Sequence, residues 1–351
     1  MQWEIYHIDG RSFHFGKQGM GIEESDFIFS SDSLFSALTA CAFSVAGTEK
    51  TNAWLAPFQA NQPPLVLTSA FPRAGNVRFF PTPMCHFPKN GLQDAAVSLK
   101  NVKKISLVSE KIFRRILKGE SLWTLVGQSG VKILNQKVLI SAEEVSELPQ
   151  AVLKNDSIWK QEKRPRVTLN RETNASTLFF SGQTQFFDGC GLWFGVQRLS
   201  ANKDFDDLFS AALETLAENG LGGERNAGFG QCQIGKQDLA LELPDPAGSS
   251  WMTLSRYIPA ADEMIGLMAG CSAYMIDPVG GWLYSPGNAA QRRRTVRMIR
   301  EGAVLGTTSK RLNGLLVDVQ PDYDGSQPIG HAVWRNGFAA AVGVPAWNQE
   351  M

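Results

Sequence analysis

The chain has 351 residues, of which 43% are hydrophobic and 19% are charged, and its 34 basic and 34 acidic side chains cancel. This composition allows a sizeable core in one large domain or two ordinary ones, and it excludes disordered and fibrous proteins. The zero net charge counts, at first, against binding to nucleic acid.

Membrane, disulfide and metal functions lack support in the sequence. The longest apolar stretch, residues 34–46, is interrupted by serine and threonine and is too short to cross a bilayer. No signal peptide is recognisable, so we expect a cytoplasmic protein without a membrane segment. The cysteines are far apart and the histidines lack ligand spacing, which predicts reduced thiols, no metal and no cofactor. Cysteines occupy positions 41, 85, 190, 232 and 271, and histidines positions 7, 14, 86 and 331.

The N-terminal half shows strand-like alternation and one helix. A helix is predicted over residues 34–45, because N-cap side chains precede it and Gly47 follows it. Residues 91–165 are mixed and polar, and we expect them to form an insertion. The N-cap candidates are Ser31, Asp32 and Ser33, and the predicted strands span residues 3–8, 12–15, 65–71 and 77–80.

The C-terminal half repeats this order. A helix is predicted over residues 205–217, where apolar residues have helical spacing, and a glycine cluster beginning at Gly220 ends it. The predicted strands span residues 177–187, 192–199, 229–234, 252–257, 272–276, 295–299 and 315–319. Because strand–helix–strand–strand units occur twice, we predict an α+β fold of two ferredoxin-like halves. The halves comprise residues 1–165, with an insertion at about 91–165, and residues 166–351.

Charge is unevenly distributed along the chain. Three basic runs occupy residues 100–118, 160–171 and 292–300, whereas acids gather in residues 204–218 and 238–263. A single basic run is usually a solvated face. Three arginine-rich runs in a neutral chain favour a local surface that binds a polyanion.

The most specific motif is a glycine-rich loop, residues 220–230, with the sequence GLGGERNAGFG. Glycines let backbone amides approach a phosphate closely, Arg225 adds a forked cation, and Asn226 can bond a base edge or a phosphate. The dinucleotide fingerprint fails because its third glycine is replaced by Arg225. A near P-loop ending at Lys236 fails because Gln237 follows it. The alternative is a helix C-cap and turn that binds no ligand.

This loop, with a helix before it and a strand after it, resembles the glycine-rich loop of the RAMP superfamily of CRISPR proteins. Four further segments are similar to the fourth Csm subunit of type III-A effector complexes. They are residues 13–16 (FHFG) with 31–38, the projecting segment 166–180, residues 280–282 (GGW), and the arginine run with residues 297–305. The resemblance fades between about residues 91 and 160.

The resemblance implies a non-catalytic, cytoplasmic subunit of an RNA-guided antiviral complex. Such a subunit caps the repeat-derived 5′ tag of CRISPR RNA (crRNA). It docks the large polymerase-like signalling subunit on one side and the first backbone RAMP subunit on the other, and it meets target RNA only indirectly.

The residues themselves fit this role, since single-stranded RNA is held by basic side chains, loop amides and aromatic stacking. The candidate RNA-binding residues are His14, Gly16, Lys17, Ser31, Ser33, Arg166, Arg171, Gly222, Gly223, Arg225, Asn226, Gly228, Phe229, Arg293, Arg294 and Arg297. Strand alternation sends Arg293 and Arg297 to one face and Arg294 to the other, so some of these arginines are expected to contact protein.

Other interpretations remain open. His14 also fits a structural histidine, Ser31 and Ser33 a helix cap, and Phe229 a core position. One rival function is a metal-independent RAMP endoribonuclease that processes precursor crRNA with His14, Tyr6 and Lys17 as acid–base groups. A second rival is a pure scaffold whose basic faces dock acidic protein surfaces without contacting RNA.

Overall fold

The computed structural model describes residues 1–17, 21–85, 87–88, 99–170, 172–173, 175–268, 272–283, 291–306, 308, 310, 312–323, 325 and 329–345. In this part of the chain the α-helices are α1 (Ser31–Gln59), α2 (Leu99–Val102), α3 (Glu110–Leu117), α4 (Leu122–Val126), α5 (Gln150–Asn155), α6 (Lys203–Asn219) and α7 (Met264–Met268). None of these helices combines the length and the apolar character of a membrane span.

The first thirteen strands are β1 (Gln2–Asp9), β2 (Ser12–Phe13), β3 (Leu65–Leu67), β4 (Phe71–Ala74), β5 (Val77–Pro81), β6 (Leu107–Ser109), β7 (Lys132–Leu134), β8 (Val138–Ile140), β9 (Trp159–Leu169), β10 (Ser176–Phe186), β11 (Cys190–Arg198), β12 (Gln233–Lys236) and β13 (Leu241–Glu242). The later strands are β14 (Ser250–Thr253), β15 (Ile276–Val279), β16 (Trp282–Leu283), β17 (Gln291–Arg292), β18 (Val296–Ile299), β19 (Val304–Leu305), β20 (Leu316–Asp318), β21 (Trp334–Asn336) and β22 (Ala341–Val344).

A mixed sheet of ten described strands forms the centre of the molecule. Its order is β12-β1-β11-β4-β5-β6-β8-β7, with β13 paired to β1 and β3 paired to β11. The pairs are antiparallel except for β6 and β8, which are parallel. Helix α6 packs on this sheet, where the Tyr6 ring stacks on Phe194 at 5.1 Å and meets the edge of Phe209 at 6.3 Å. The sheet and α6 therefore share one apolar core.

Helix α1 folds back on itself at Gly47. A straight helix would separate Phe35 and Trp54 by roughly 28 Å at 1.5 Å per residue, yet their ring centroids are 5.5 Å apart. Gly47 adopts φ 75° and ψ −176°, which no helical residue adopts, and this breaks the helix as predicted. The second half, which the sequence pattern did not predict, stacks Trp54 on Phe205 of α6 at 5.3 Å.

The described residues of the segment 91–165 extend the main sheet. Strands β6, β7 and β8 continue it beyond β5, and Phe113 of α3 stacks on Phe80 of β5 at 4.4 Å. The mixed, polar composition of this segment did not indicate that its apolar residues are buried in the core. The segment therefore forms one edge of the sheet.

Strands β9 and β10 form a long hairpin that projects from the body. Its base is anchored by Trp159, which stacks on Phe27 at 4.4 Å. Beyond the base, Val167, Leu169 and Leu178 are 57%, 67% and 60% exposed. The expected boundary between residues 165 and 166 lies inside β9.

The strands from residue 250 onward form small separate sheets, namely β14 with β19 and β22, β15 with β18, β16 with β17, and β20 with β21. The α+β class is confirmed. The two ferredoxin-like halves stay a prediction. Strands β11, β12 and β13, which the sequence assigns to the second half, pair with β1 in the main sheet.

Candidate nucleic-acid interface

A cleft of about 3670 Å³ opens between the main sheet and the small C-terminal sheets. Its walls include the end of the first strands, the start of α1, the glycine-rich loop and two C-terminal segments, which are residues 277–283 and residues 292–293 with Thr295. Segments far apart in sequence, including most of those that carry the RAMP resemblance, therefore share one concave surface.

The glycine-rich loop packs against the chain at His14. The Gly223 amide donates to the His14 carbonyl oxygen at 2.9 Å, and the Gly230 amide donates to that of Ser12 at 2.8 Å. A Cβ atom at Gly222 would lie 2.7 Å from the His14 oxygen, and Gly222 has φ +89°. Glycine is required here for a close backbone approach, and the Gly223 amide is engaged by protein.

The same loop presents two polar side chains to the cleft. Arg225 and Asn226 form a single 3-10 turn with Ala227, and both are exposed. The Arg225 guanidinium makes long contacts of 3.4 and 3.5 Å to the Asn219 and Gly220 carbonyl oxygens. Arg225 and Asn226 are therefore available to an RNA in the cleft, whereas Gly228 follows the turn with φ +86° and does not line the cleft.

His14 lines the cleft but is only 7% exposed. Its Nδ1 lies 2.7 Å from the Gly182 carbonyl oxygen, so Nδ1 carries the proton and donates it, since a carbonyl only accepts. Gly16 and Lys17 line the cleft beside it, and Lys17 Nζ is 3.8 Å from Glu24. His14 is thus held in one orientation by the protein.

The proposed acid–base trio is not brought together. Tyr6 lies outside the described lining of the cleft, and its hydroxyl donates to Glu4 at 3.3 Å. Burial, and then the charge of Glu4, raise the pKa of Tyr6 to about 12. Tyr6 therefore belongs to the contact between the sheet and α6.

Phe229 is buried between the glycine-rich loop and the hairpin. Phe229 is 3% exposed, and the Arg166 guanidinium covers its ring at 5.1 Å from the centroid. Arg166 also lies 3.5 Å from the Glu224 carboxylate, so it joins the hairpin to the loop. Phe229 therefore occupies a buried position, as its alternative interpretation expects, and it does not expose a stacking surface.

The two serines at the start of α1 differ. Ser31 is 3% exposed, and its hydroxyl accepts from the Arg256 amide at 2.9 Å, so it is not available to RNA. Ser33 lines the cleft, where its hydroxyl accepts from Ser30 at 3.1 Å. Arg171 lies outside the described residues.

A group of charged residues, most of which line the cleft, forms ion pairs that the sequence did not predict; we call this group the ionic floor. Asp277 accepts two hydrogen bonds from Arg300, at 2.8 and 2.7 Å, and one from Arg256. Burial alone would raise the pKa of Asp277, but these bonds outweigh it and lower the pKa. The members of the ionic floor are Asp32, Arg256, Asp277, Arg300, Glu301 and Arg335.

Comparisons with known proteins match a region that includes the C-terminal segments of the cleft. Residues 247–344 match the family described as CRISPR Csm4 C-terminal domain. A Csm4 protein of Streptococcus thermophilus is 26% identical over 326 residues, which cover 92% of this chain and 93% of that protein. A Csm4 protein of Methanocaldococcus jannaschii is 21% identical, with 89% and 86% covered.

Over most of its length the chain is therefore similar to Csm4 proteins, and its C-terminal part matches the Csm4 family model. The resemblance predicted from the sequence is thereby confirmed. Solved structures agree at the level of the fold. One is the Csm3–Csm4 subcomplex in the type III-A CRISPR-Cas interference complex, which matches with a TM-score of 0.68 at 18% sequence identity. The match covers 97% of this chain and 99% of that chain. A Csm1–Csm4 cassette in complex with pppApA matches with a TM-score of 0.56, at 15% identity, over 98% of each chain.

The arginine run of this Csm4-like protein divides between two environments. Arg292 and Arg293 line the cleft, and Arg293 Nε donates to the Gly280 carbonyl oxygen at 2.9 Å. Arg294 donates to the Asp318 carbonyl oxygen at 2.9 Å, and Arg297 pairs with Pro278 in the β15–β18 ladder. Neither Arg294 nor Arg297 belongs to the described lining of the cleft. The strand pairing is interrupted after Arg292, so simple alternation does not describe the run.

Proposed function

We propose that this Csm4-like protein is a non-catalytic subunit of a type III-A effector complex and that its cleft holds the repeat-derived 5′ tag of crRNA. Its partners are the large signalling subunit Csm1 and the backbone subunit Csm3, the proteins with which its structural relatives were solved. Target RNA reaches it only through the assembled complex.

The observation that carries the proposal is the local charge of the cleft. Nine basic but only four acidic residues are among its described lining, although the whole chain is neutral. Three of those acids are already paired: Glu224 with Arg166, Asp277 with Arg256 and Arg300, and Glu301 with Arg256. The surplus is therefore positive, and it attracts the phosphates of a single strand.

The side chains of the glycine-rich loop also suit RNA. The cleft is concave, and Arg225 and Asn226 project into it from a loop whose backbone is fixed against His14. A forked guanidinium bonds phosphate oxygens with two N–H groups, and a neighbouring amide reads a base edge.

Replacing Arg225 with alanine tests the proposal. We expect Arg225→Ala to weaken binding of tag RNA by about 1 to 3 kcal/mol, because a charged contact is lost. The loop keeps its backbone hydrogen bonds to His14 and Ser12 in this variant and loses only the two long contacts of Arg225. The measurement is fluorescence anisotropy with labelled tag RNA, for the full chain and for its complex with Csm1 and Csm3. The complex is included because a groove completed by neighbours binds weakly alone.

Lys203→Ala is the matched control, since it removes an exposed cation at the start of α6, outside the described lining of the cleft. Equal affinities for wild type, Arg225→Ala and the control in the complex would favour a scaffold without RNA contact. Metal-independent cleavage of repeat RNA that disappears in His14→Ala would instead establish an endoribonuclease.

A further inference from the structure

Trp282 exposes more of its surface than the other described aromatic residues that line the cleft. The indole is 63% exposed, whereas Phe15, Phe29 and Trp123 are 4%, 8% and 9% exposed. Among the same lining residues Phe43 of α1 follows with 43%. Phe229, the stacking candidate of the sequence, is buried, so an aromatic surface for RNA in this cleft is found at Trp282.

The indole is held by the backbone and by an arginine. Trp282 pairs with Arg292 across β16 and β17, and the Arg292 guanidinium lies 5.0 Å from the ring centroid. Arg293 secures the turn before the indole, because its amide donates to the Gly281 carbonyl oxygen at 3.1 Å and its Nε donates to that of Gly280. Gly281 has φ +123°, a conformation that glycine permits. The guanidinium lies over the indole ring, and Trp282 keeps a large exposed fraction in the lining of the cleft.

The neighbouring charge indicates what binds there. A flat ligand gains from stacking on an indole whether it is neutral or charged, but a cation beside the indole favours a ligand with a negative group next to its ring. A nucleotide of single-stranded RNA has both parts, since a base and a phosphate are linked by one sugar. An acidic peptide offers the charge but lacks a planar ring of comparable area.

We propose that Trp282 stacks one base of the crRNA tag and that Arg292 contacts the adjoining phosphate. This inference rests on the proposed function, because it assigns residues to the same cleft. The stacked base is held by its planar surface, so Trp282 contributes affinity and fixes the register of the strand without demanding one base type.

The test combines a variant of the protein with a variant of the RNA. Tag RNA carrying one abasic site at each position in turn is bound to wild type and to Trp282→Ala, in the complex with Csm1 and Csm3. Trp282→Ala should weaken binding of intact tag RNA roughly 5- to 150-fold. For one abasic position, wild type should lose as much affinity as Trp282→Ala loses with intact RNA. At that position Trp282→Ala should bind abasic RNA as tightly as it binds intact RNA, because both changes remove the same contact. Trp282→Phe should retain part of the affinity.

Tyr274→Ala is the control, since Tyr274 is an aromatic residue of the same region that is 40% exposed and lies outside the described lining of the cleft. The inference would be overturned if, at every abasic position, the affinity loss caused by Trp282→Ala and the loss caused by the abasic site were fully additive. Unchanged RNA affinity in Trp282→Ala while Arg225→Ala remains weakened would also overturn it, a result that leaves the proposed function intact. If Trp282→Ala instead reduces binding of Csm1 or Csm3 in the absence of RNA, Trp282 is a protein contact and the inference is wrong. Failure of wild type to bind tag RNA in the complex would overturn both.

Discussion

His7 provides a residue-scale prediction about pH. It is half-buried in β1, where burial, and then the charges of Arg73 and Arg78, lower its pKa from 6.5 to about 4. As pH falls below 6.5, the unfolded chain gains a proton at His7 that the folded chain does not accept until about pH 4. The free energy of unfolding therefore decreases over this interval.

Denaturant unfolding at pH 7.5 and pH 5 measures this effect. His7→Gln removes the titrating group, so the variant should lose less stability than wild type between the two pH values. Equal losses in both proteins would show that other groups cause the pH dependence.

Individual residues of the site were predictable where the local sequence dictates the backbone. Gly222 and Gly223 were identified from the motif alone, and the exposed Arg225 follows from its place in that loop. The sequence left Phe229 open between a stacking surface and a core position, because the covering Arg166 comes from the distant hairpin. The exposure of Trp282 likewise depends on the tertiary position of the short β16–β17 pair, which the local sequence does not specify.

At the scale of elements, the break in α1 yields a second prediction. Gly47 adopts a backbone conformation that side chains rarely take, yet a Cβ atom there would meet nothing within 4 Å. Gly47→Ala should therefore destabilise the protein by backbone strain alone, by about 1 to 3 kcal/mol. Gly235→Ala is the matched control, because its Cβ also meets nothing but its φ is not positive. Thermal or chemical unfolding compares the two, and equal stabilities would contradict the strain argument.

Elements bounded by strong local signals were predicted better than elements defined by pairing. The helix before the glycine loop was expected over residues 205–217 and is found at Lys203–Asn219, where Asn202 caps it by accepting from the Phe205 amide. The strand expected at 229–234 is displaced to Gln233–Lys236, because Gly230 is used to close the loop onto Leu221. The sheet edge from β6 to β8 was missed, since its three-residue strands carry too little periodicity.

Considered as a whole molecule, the neutral chain separates its charges in space. The exposed face of α6 carries Asp204, Asp207 and Glu214, outside the described lining of the cleft, while the cleft holds a basic surplus. Composition alone cannot show this separation, because a sum over the chain removes the positions. The three basic runs in the sequence did indicate that charge is unevenly distributed. Which of their side chains line the cleft and which contact protein is determined only by the tertiary structure.

The ionic floor joins the two walls of the cleft. Asp32 at the start of α1 and Arg335 of β21 form a buried ion pair at 2.9 Å, with side chains 1% and 2% exposed, and Arg335 also donates to Ser36 at 3.0 Å. Beside this pair, the Ser31 hydroxyl accepts from the Arg256 amide and Ser69 donates to Glu301. Residues separated by about 200 to 300 positions thus fix the C-terminal sheets against the main sheet.

The last prediction follows from that pair. Asp32→Ala leaves a buried guanidinium without its counter-ion, so the free energy of unfolding should fall by about 3 to 5 kcal/mol. The double variant Asp32→Leu/Arg335→Met removes both charges and should recover part of this loss, because apolar side chains of similar volume tolerate burial. Glu143→Ala is the control, since it breaks the exposed pair with Lys111 and should change stability little. Chemical denaturation of the full chain provides the values. A double variant no more stable than Asp32→Ala would show that shape, and not charge pairing, joins the two walls.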